Sequence, residues 1–114
     1  MEALYPRFAA HSQRAGGFCS VAVSGELDLA TGPILADEIA RCEGPNTGHV
    51  FVDLARVTFI DTDGIRFLCQ ARQRSDDDGR HLVLAAVSPV VQRLLRLTGL
   101  RTNFAYAHRT PAIG

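Results

Sequence analysis

The spacing of apolar residues changes abruptly in the middle of the chain, and the change predicts a strand followed directly by a helix. An apolar run that ends at Ile60 stops at the polar tetrapeptide Asp61-Thr62-Asp63-Gly64. After it, Ile65, Leu68 and Cys69 stand at positions i, i+3 and i+4, which is one face of a helix. We therefore expect an extended segment that passes into a helix through residues 61–64.

This tetrapeptide has the composition of a helix start that can carry an anion. Asp61 is a good N-cap, because its carboxylate can accept hydrogen bonds from free backbone N–H groups of the first turn. Thr62 then lies at the positive end of the helix dipole, where a negative group or a phosphate is tolerated. Gly64 is expected to leave the backbone of that turn uncovered. Because the segment follows a buried strand, we expect it at the carboxyl end of the sheet, where α/β domains place functional groups.

The N-terminal part of the chain predicts a β-hairpin. Residues 18–24 alternate apolar and small polar side chains with period two, which predicts a strand. The turn signal at residues 14–17 joins it to a weakly patterned segment at residues 4–13, and Pro6 confines a strand there to the edge of a sheet. Residues 25–28 are expected to end the second strand.

The rest of the pattern alternates helices with apolar runs. The predicted helices begin at Thr31 and Ser88, the predicted buried strands cover residues 50–52 and 82–87, and a short last strand covers residues 104–106. The expected buried helix positions are Leu35, Ile39 and Cys42 in one helix and Val91, Leu94, Leu95 and Thr98 in the other.

The predicted order β-β-α-β-α-β-α-β indicates a single α/β domain. It has a mixed central sheet, an N-terminal antiparallel hairpin and three or so packed helices. The domain is expected to span residues 1–114, with its core at about residues 4–107 and a flexible tail at residues 108–114.

Composition narrows the functional classes. The chain of 114 residues is 46% hydrophobic and 21% charged, which is ordinary for one soluble domain. Twelve arginines balance twelve acidic residues, and their scatter does not predict nucleic-acid binding. No run approaches the ~20 apolar residues of a membrane-spanning helix, and the N-terminus lacks the layout of a signal peptide. We expect a cytoplasmic protein without membrane insertion.

The candidate metal ligands do not form a site. The three cysteines and four histidines are widely spaced, and the acidic residues 76–78 lack the spacing of a calcium loop. We expect no metal, and we expect Cys19, Cys42 and Cys69 to be small buried thiols in a reducing compartment.

Catalytic and cofactor motifs are also absent from the sequence. It contains no G-x-S-x-G, Walker or G-x-G-x-x-G motif. Asp61 and Asp63 could be read as an acid–base pair, but adjacent carboxylates at a helix start point in different directions and usually act as caps. We expect neither enzymatic activity nor a cofactor. Thr62 remains the candidate functional residue, with a plain helix-start hydroxyl as the alternative interpretation.

Three segments resemble the landmarks of a known family. They are G-E-L-D-L-A-T at residues 25–31, V-F-V-D-L-A-R-V-T-F-I-D-T-D-G-I at residues 50–65, and R-L-L-R-L-T-G-L at residues 93–100. Together they resemble the STAS domain, in the branch of bacterial anti-sigma-factor antagonists. The resemblance implies a small α/β fold and partner switching. In such proteins the unphosphorylated antagonist binds an anti-sigma factor that is also a serine/threonine kinase, and the sigma factor is freed.

The resemblance also implies roles for particular residues. The kinase would phosphorylate Thr62, which would dissociate the complex, and a phosphatase would reset the cycle. The implied partner-binding residues are Gly25, Glu26, Leu27, Asp28, Asp61, Thr62, Asp63, Gly64, Ile65 and Arg66. The chain differs from the commonest pattern in having threonine rather than serine, followed by Asp63 where a second hydroxyl is frequent. We hypothesise that Asp63 weakens kinase binding or slows phosphorylation.

Two other functions remain open at the level of sequence. A STAS subunit could dock on another assembly, such as a lipid-transport ATPase or a stress-sensing complex, without phosphorylation. A nucleotide-binding or weakly enzymatic domain is the third interpretation.

Overall fold

One five-stranded sheet organises the molecule, and its strands lie side by side in chain order. The computed structural model describes residues 7–107 and gives the sheet order β1-β2-β3-β4-β5. The elements are β1 (Phe8–Ala15), β2 (Phe18–Leu27), α1 (Gly32–Cys42), β3 (Val50–Ile60), α2 (Thr62–Asp77), β4 (Leu82–Val87), α3 (Pro89–Thr98), a 3₁₀ turn (Arg101–Asn103) and β5 (Ala105–Tyr106).

The predicted fold class is confirmed. β1 pairs with β2 in antiparallel register, while the β2–β3, β3–β4 and β4–β5 pairs are parallel. The sheet is therefore mixed, with the hairpin at its N-terminal edge and three α-helices as crossovers. The predicted tail at residues 108–114 lies outside the described residues.

β2 is longer than its sequence pattern predicts. Residues 25–27, expected to end the strand, continue it and pair with β3, with Glu26 beside Phe59 and Leu27 beside Ile60. A register shift between Gly25 and Glu26 marks an irregularity, which explains why simple alternation stops there. The continuation matters because it carries the end of β2 to the start of α2.

The central strands are less covered than their apolar runs predict. Val50, Val52, Leu82 and Leu84 are fully buried, as expected, but the alternate positions Phe51 and Val83 are only half-buried. The expectation that both faces of β3 and β4 are fully covered was therefore wrong. A short apolar run establishes a strand, but the packing of the helices decides how far its second face is covered.

The helices largely follow their predicted patterns. Leu35, Ile39 and Cys42 are the buried stripe of α1, and Gly99 closes α3 in the left-handed conformation with φ of 74°. One position differs. Thr98 is exposed rather than packed, and its hydroxyl donates to the Leu94 carbonyl oxygen at 2.8 Å.

The cysteine prediction was wrong for two residues. Cys19 and Cys42 are both buried and form a disulfide, with their Cα atoms 5.8 Å apart. The disulfide joins the second residue of β2 to the last residue of α1. The helix runs back along the sheet and ends beside the start of β2. Cys69 is free and half-buried, and desolvation raises the pKa of its thiol despite the nearby Arg72 guanidinium.

Among residues 7–107, none of the helices is long and apolar enough to cross a membrane. Within the same range, no group of three or more histidine, cysteine, aspartate or glutamate side chains is arranged to hold a metal ion.

Candidate functional site

The helices α1 and α2 both begin at the carboxyl end of the β2–β3 pair. Leu27 and Ile60 are the last paired residues of the two strands, α2 begins two residues after Ile60, and α1 begins five residues after Leu27. Gly32, the first residue of α1, lies directly against the ring of Phe67 on α2, with no room for a Cβ. Two helix N-termini therefore lie close together at one edge of the sheet.

Asp61 caps α2, as the sequence predicts. Its backbone is extended, with φ of −121° and ψ of −173°, and its Oδ1 accepts a hydrogen bond from the Gly64 N–H at 2.9 Å. The Asp61 carbonyl accepts from the Ile65 N–H at 3.0 Å. This local arrangement fixes the direction in which the helix leaves the sheet.

Thr62 is the first residue of α2, and its side chain is exposed. Among residues 7–107 its hydroxyl has no hydrogen-bond partner, and the neighbouring Asp61 Oδ1 accepts from the Gly64 N–H instead. The hydroxyl is therefore accessible to an incoming reagent.

Asp63 forms an ion pair that the sequence interpretation did not include. Its Oδ1 lies 2.8 Å from Nη2 of Arg66, one helical turn later, and both side chains are substantially exposed. Pairs of this kind contribute ~0–1 kcal/mol to stability. Their chemical consequence is more direct, because the guanidinium partly compensates the negative charge beside Thr62.

Gly64 is buried rather than uncovered, which corrects the sequence interpretation. A Cβ at this position would overlap the Leu27 carbonyl oxygen and lie 2.9 Å from Cγ1 of Ile60. Glycine is therefore required because the first turn of α2 rests directly on the backbone at the end of β2.

Asp28 organises the loop between β2 and α1. Its Oδ1 accepts from the backbone N–H groups of Ala30 at 3.0 Å and Thr31 at 3.1 Å, and Arg7 lies 3.4 Å from its other oxygen. Desolvation raises the pKa of the Asp28 carboxyl, but the hydrogen bonds from Thr31 and Ala30 and the charge of Arg7 together outweigh it and leave the pKa below its ordinary value. The Asp28 carboxylate thus accepts the hydrogen bonds that hold the β2–α1 loop in place.

Gly25 and Glu26 tie the same loop to the edge strand. Gly25 has φ of +93°, and a Cβ there would overlap the Arg7 carbonyl oxygen. The Glu26 N–H donates to that oxygen at 2.9 Å, and the Glu26 carboxylate lies 3.6 Å from Nε of Arg7.

The structure separates the ten predicted partner-binding residues into three groups. Leu27, Gly64 and Ile65 are buried, so their contribution is to position the backbone. The side chains that reach solvent in whole or part are those of Glu26, Asp28, Asp61, Thr62, Asp63 and Arg66. Gly25 is half-buried and shapes the loop.

Three exposed apolar side chains at the same edge were missed by the sequence reasoning. Leu29 in the β2–α1 loop is 58% exposed, Ile34 in the first turn of α1 is 52% exposed, and Phe59 beside Glu26 is 47% exposed. The sequence could have indicated two of them, because Leu29 and Ile34 are apolar but lie outside the buried α1 stripe of Leu35, Ile39 and Cys42. We call Leu29, Ile34 and Phe59 the apolar rim.

Comparison with known proteins identifies a family for this chain. The STAS domain model matches residues 9–111. The anti-sigma-B factor antagonist of Staphylococcus epidermidis is 31% identical over 84 residues, which are 74% of this chain and 78% of the relative.

Two solved structures share the fold. An anti-sigma factor antagonist from Mycobacterium paratuberculosis superposes with a TM-score of 0.77 at 24% identity, covering 91% of this chain and 88% of the other. The phosphorylated form of the Bacillus cell-fate determinant SpoIIAA superposes with a TM-score of 0.68 at 17% identity, covering 92% and 96%.

The match to the family model covers most of the chain, and the staphylococcal relative is more than 30% identical over about three quarters of it. The predicted resemblance is therefore confirmed: the chain belongs to the STAS domain family, in its group of anti-sigma factor antagonists.

Proposed function

We propose that this protein controls a sigma factor by partner switching, with Thr62 as the switch. The unphosphorylated protein binds an anti-sigma factor that is also a serine/threonine kinase, and the sigma factor is released in the cytoplasm. Phosphorylation of Thr62 dissociates the complex, and a phosphatase restores the binding form. The protein itself performs no catalysis and needs no cofactor. The observation that carries the proposal is the accessible Thr62 hydroxyl at the start of α2, which has no hydrogen-bond partner among residues 7–107.

The start of α2 suits a phosphate. The first N–H groups of a helix lack intrahelical acceptors, and the helix dipole favours negative charge at this end. Asp61 holds the Gly64 N–H, so the cap does not depend on the state of the Thr62 hydroxyl. Phosphorylation can therefore change the surface while the fold stays intact, which a reversible switch requires.

The apolar rim supplies the attraction that the phosphate would oppose. Leu29, Ile34 and Phe59 are exposed in the free protein, and burying a side chain of this size in an interface is worth ~1.5–3 kcal/mol. A phosphate adds ~1.5–2 negative charges beside the carboxylates of Asp61 and Asp63. Enclosing that charge in an interface costs several kcal/mol of desolvation and repulsion. Because ~1.4 kcal/mol is a tenfold change in affinity, such a cost reverses binding.

The pairing of Asp63 with Arg66 refines the hypothesis about Asp63. The 2.8 Å ion pair leaves less uncompensated charge beside Thr62 than the sequence suggests. Asp63→Ser is therefore expected to raise the rate of phosphorylation or the affinity for the kinase only a few-fold. Unchanged values for both quantities would contradict the hypothesis.

The decisive experiment measures binding of the cognate anti-sigma factor to three variants by calorimetry. Thr62→Glu should lower the affinity at least ~100-fold, while Thr62→Ala should bind within a few-fold of the wild type. Thr102→Glu is the matched control, because Thr102 is exposed in the 3₁₀ turn and the chemical change is the same. Its affinity should not change.

A kinase assay completes the test. The anti-sigma factor with ATP should add one phosphate at Thr62, located by mass spectrometry, and should leave Thr62→Ala unmodified. If Thr62→Glu binds as tightly as the wild type, the switch is refuted. If Thr62→Glu binds normally and Phe59→Ser does not bind, the apolar rim alone accounts for recognition. That result would favour docking on another assembly without phosphorylation.

A further inference from the structure

A second concave surface lies on the part of the molecule built from α3, the 3₁₀ turn and β5. It is a cleft of ≈ 340 Å³ lined by Val87, Gln92, Leu95, Arg96, Arg101 and Tyr106. Its volume lies at the lower end of the ~300–1,000 Å³ typical of small-ligand sites. None of its lining residues belongs to the edge that carries Thr62.

The charged side chains that line this cleft, Arg96 and Arg101, are of one sign. All twelve acidic residues of the chain lie between Glu2 and Asp78, whereas residues 79–114 contain five arginines and no acid. Arg80 is used structurally, since it pairs with Asp78 and donates to carbonyl oxygens of the α1–β3 loop. Arg96 and Arg101, in contrast, form no ion pair with any residue in the range 7–107. Two guanidinium groups therefore line the cleft without carboxylate partners.

The remaining lining combines apolar surface with fixed polar groups. Leu95 is buried and Val87 half-buried, so the wall beneath the arginines is apolar. The Tyr106 hydroxyl donates to the Arg101 carbonyl oxygen at 2.7 Å, which ties β5 to the 3₁₀ turn and fixes the backbone that bears Arg101. Desolvation raises the pKa of Tyr106 despite the nearby Arg101 charge, so the ring is neutral and adds no negative charge to the cleft.

We propose that this cleft binds a small organic anion, with its carboxylate or phosphate held by Arg96 and Arg101 and its apolar body against Val87, Leu95 and the Tyr106 ring. Guanidinium groups match the geometry of carboxylates and phosphates through paired N–H donors. An apolar wall beneath two cations selects an amphipathic anion over an inorganic one. The volume suits a small ligand. The site is independent of the Thr62 switch and goes beyond it.

Phenyl phosphate and benzoate are suitable probes, because each joins one anionic group to one aromatic ring. Titration of the ¹⁵N-labelled full chain should shift the amide signals of Val87, Gln92, Arg96 and Tyr106 saturably, with a Kd of about 1 mM or tighter. Whichever probe binds more tightly identifies the preferred head group. Phenol, which lacks the charge, and inorganic phosphate, which lacks the ring, should each bind at least about tenfold more weakly.

Arginine variants separate a site from general attraction by positive charge. Arg96→Gln and Arg101→Gln should each weaken the tighter probe about tenfold. Arg93→Gln is the matched control, because it removes the same charge from the same helix but Arg93 does not line the cleft. Its Kd should stay within about twofold of the wild type.

Three results would overturn the proposal. One is the absence of saturable shifts at concentrations up to about 10 mM. Another is equal weakening by Arg93→Gln and Arg96→Gln, which would mean diffuse electrostatic attraction. The third is tight binding of phenol, which would mean that the arginines take no part. Unchanged amide spectra of each free variant, compared with the wild type, verify that the substitutions leave the fold intact.

Discussion

The helices α2 and α3 begin in the same topological position but are anchored in different ways. Each follows a parallel strand directly, α2 after Asp61 and α3 after Ser88. Asp61 caps its helix through a hydrogen bond from the Gly64 N–H at 2.9 Å. Ser88 is only 5% exposed, makes no capping bond, and its Oγ has no partner in the described part of the chain. The first helical residue of α3 is Pro89, which has no N–H to satisfy.

The third residue of each helix also differs between α2 and α3. In α2 it is Gly64, which lets the turn rest on the Leu27 carbonyl. In α3 it is Val91, whose fully buried side chain spaces the helix from the sheet. The start of α2 is thus held by its cap and by a backbone contact, which leaves the neighbouring Thr62 side chain in solvent. The start of α3 is held by the buried Val91 side chain, and the Ser88 hydroxyl is enclosed. The contrast explains why only the first of these junctions offers a hydroxyl for modification.

Substitution of Gly64 tests this contrast with the largest expected effect. Gly64→Ala should lower the free energy of unfolding by ~1–3 kcal/mol, because its Cβ would overlap the Leu27 carbonyl oxygen. Urea denaturation measures the change. Gly48→Ala is the control, since a Cβ there would make only ordinary van der Waals contacts, the nearest with the Gly17 carbonyl oxygen at 3.7 Å. A Gly64→Ala protein as stable as the control would show that the close contact is not needed.

The two capping positions give the next largest difference. Asp61→Ala should cost ~0.5–2 kcal/mol, because the Gly64 N–H loses its acceptor. Ser88→Ala should change stability by less than ~0.5 kcal/mol or increase it, since its buried oxygen has no partner among residues 7–107. The same denaturation experiment compares both. Equal losses would mean that Ser88 is an effective cap and that the two junctions are alike.

The smallest effect concerns α1, which begins close to the start of α2. Because the pKa of Asp28 is lowered in the folded protein, its carboxylate stabilises the fold fully above the unfolded pKa, and this stabilisation is lost as the pH falls through the folded pKa. Asp28→Asn should therefore be less stable than the wild type at pH 7, and the gap should narrow as the solution is acidified. Thermal unfolding between neutral and acidic pH measures it.

Asp37→Asn serves as the control for that series. Asp37 is an exposed residue of α1, and its carboxylate accepts no hydrogen bond from a residue in the described range. Its stability should follow that of the wild type across the same pH range. A constant gap between Asp28→Asn and the wild type would mean that the carboxylate charge does not hold the β2–α1 loop.

Much of this molecule was predictable because its signals are local. The spacing of Ile65 and Leu68 identified α2, and the cap of Asp61 follows from a contact across three residues. The element order and the mixed sheet follow from the same kind of pattern. Other features depend on contacts between distant segments, which periodicity does not encode. They include the disulfide between Cys19 and Cys42 and the exposure of the apolar rim.

The start of α2 shows which features the sequence determines and which depend on the tertiary structure. The sequence by itself determined a helix that begins at Thr62 after an acidic cap, because capping and helical periodicity act within one turn. Only the tertiary structure decided that Gly64 is required, that Leu29, Ile34 and Phe59 surround the same edge, and that Arg96 and Arg101 share a cleft. The physical reason is that the sheet brings the ends of separate strands and helices together, and which atoms then touch depends on packing between residues that are far apart in the chain.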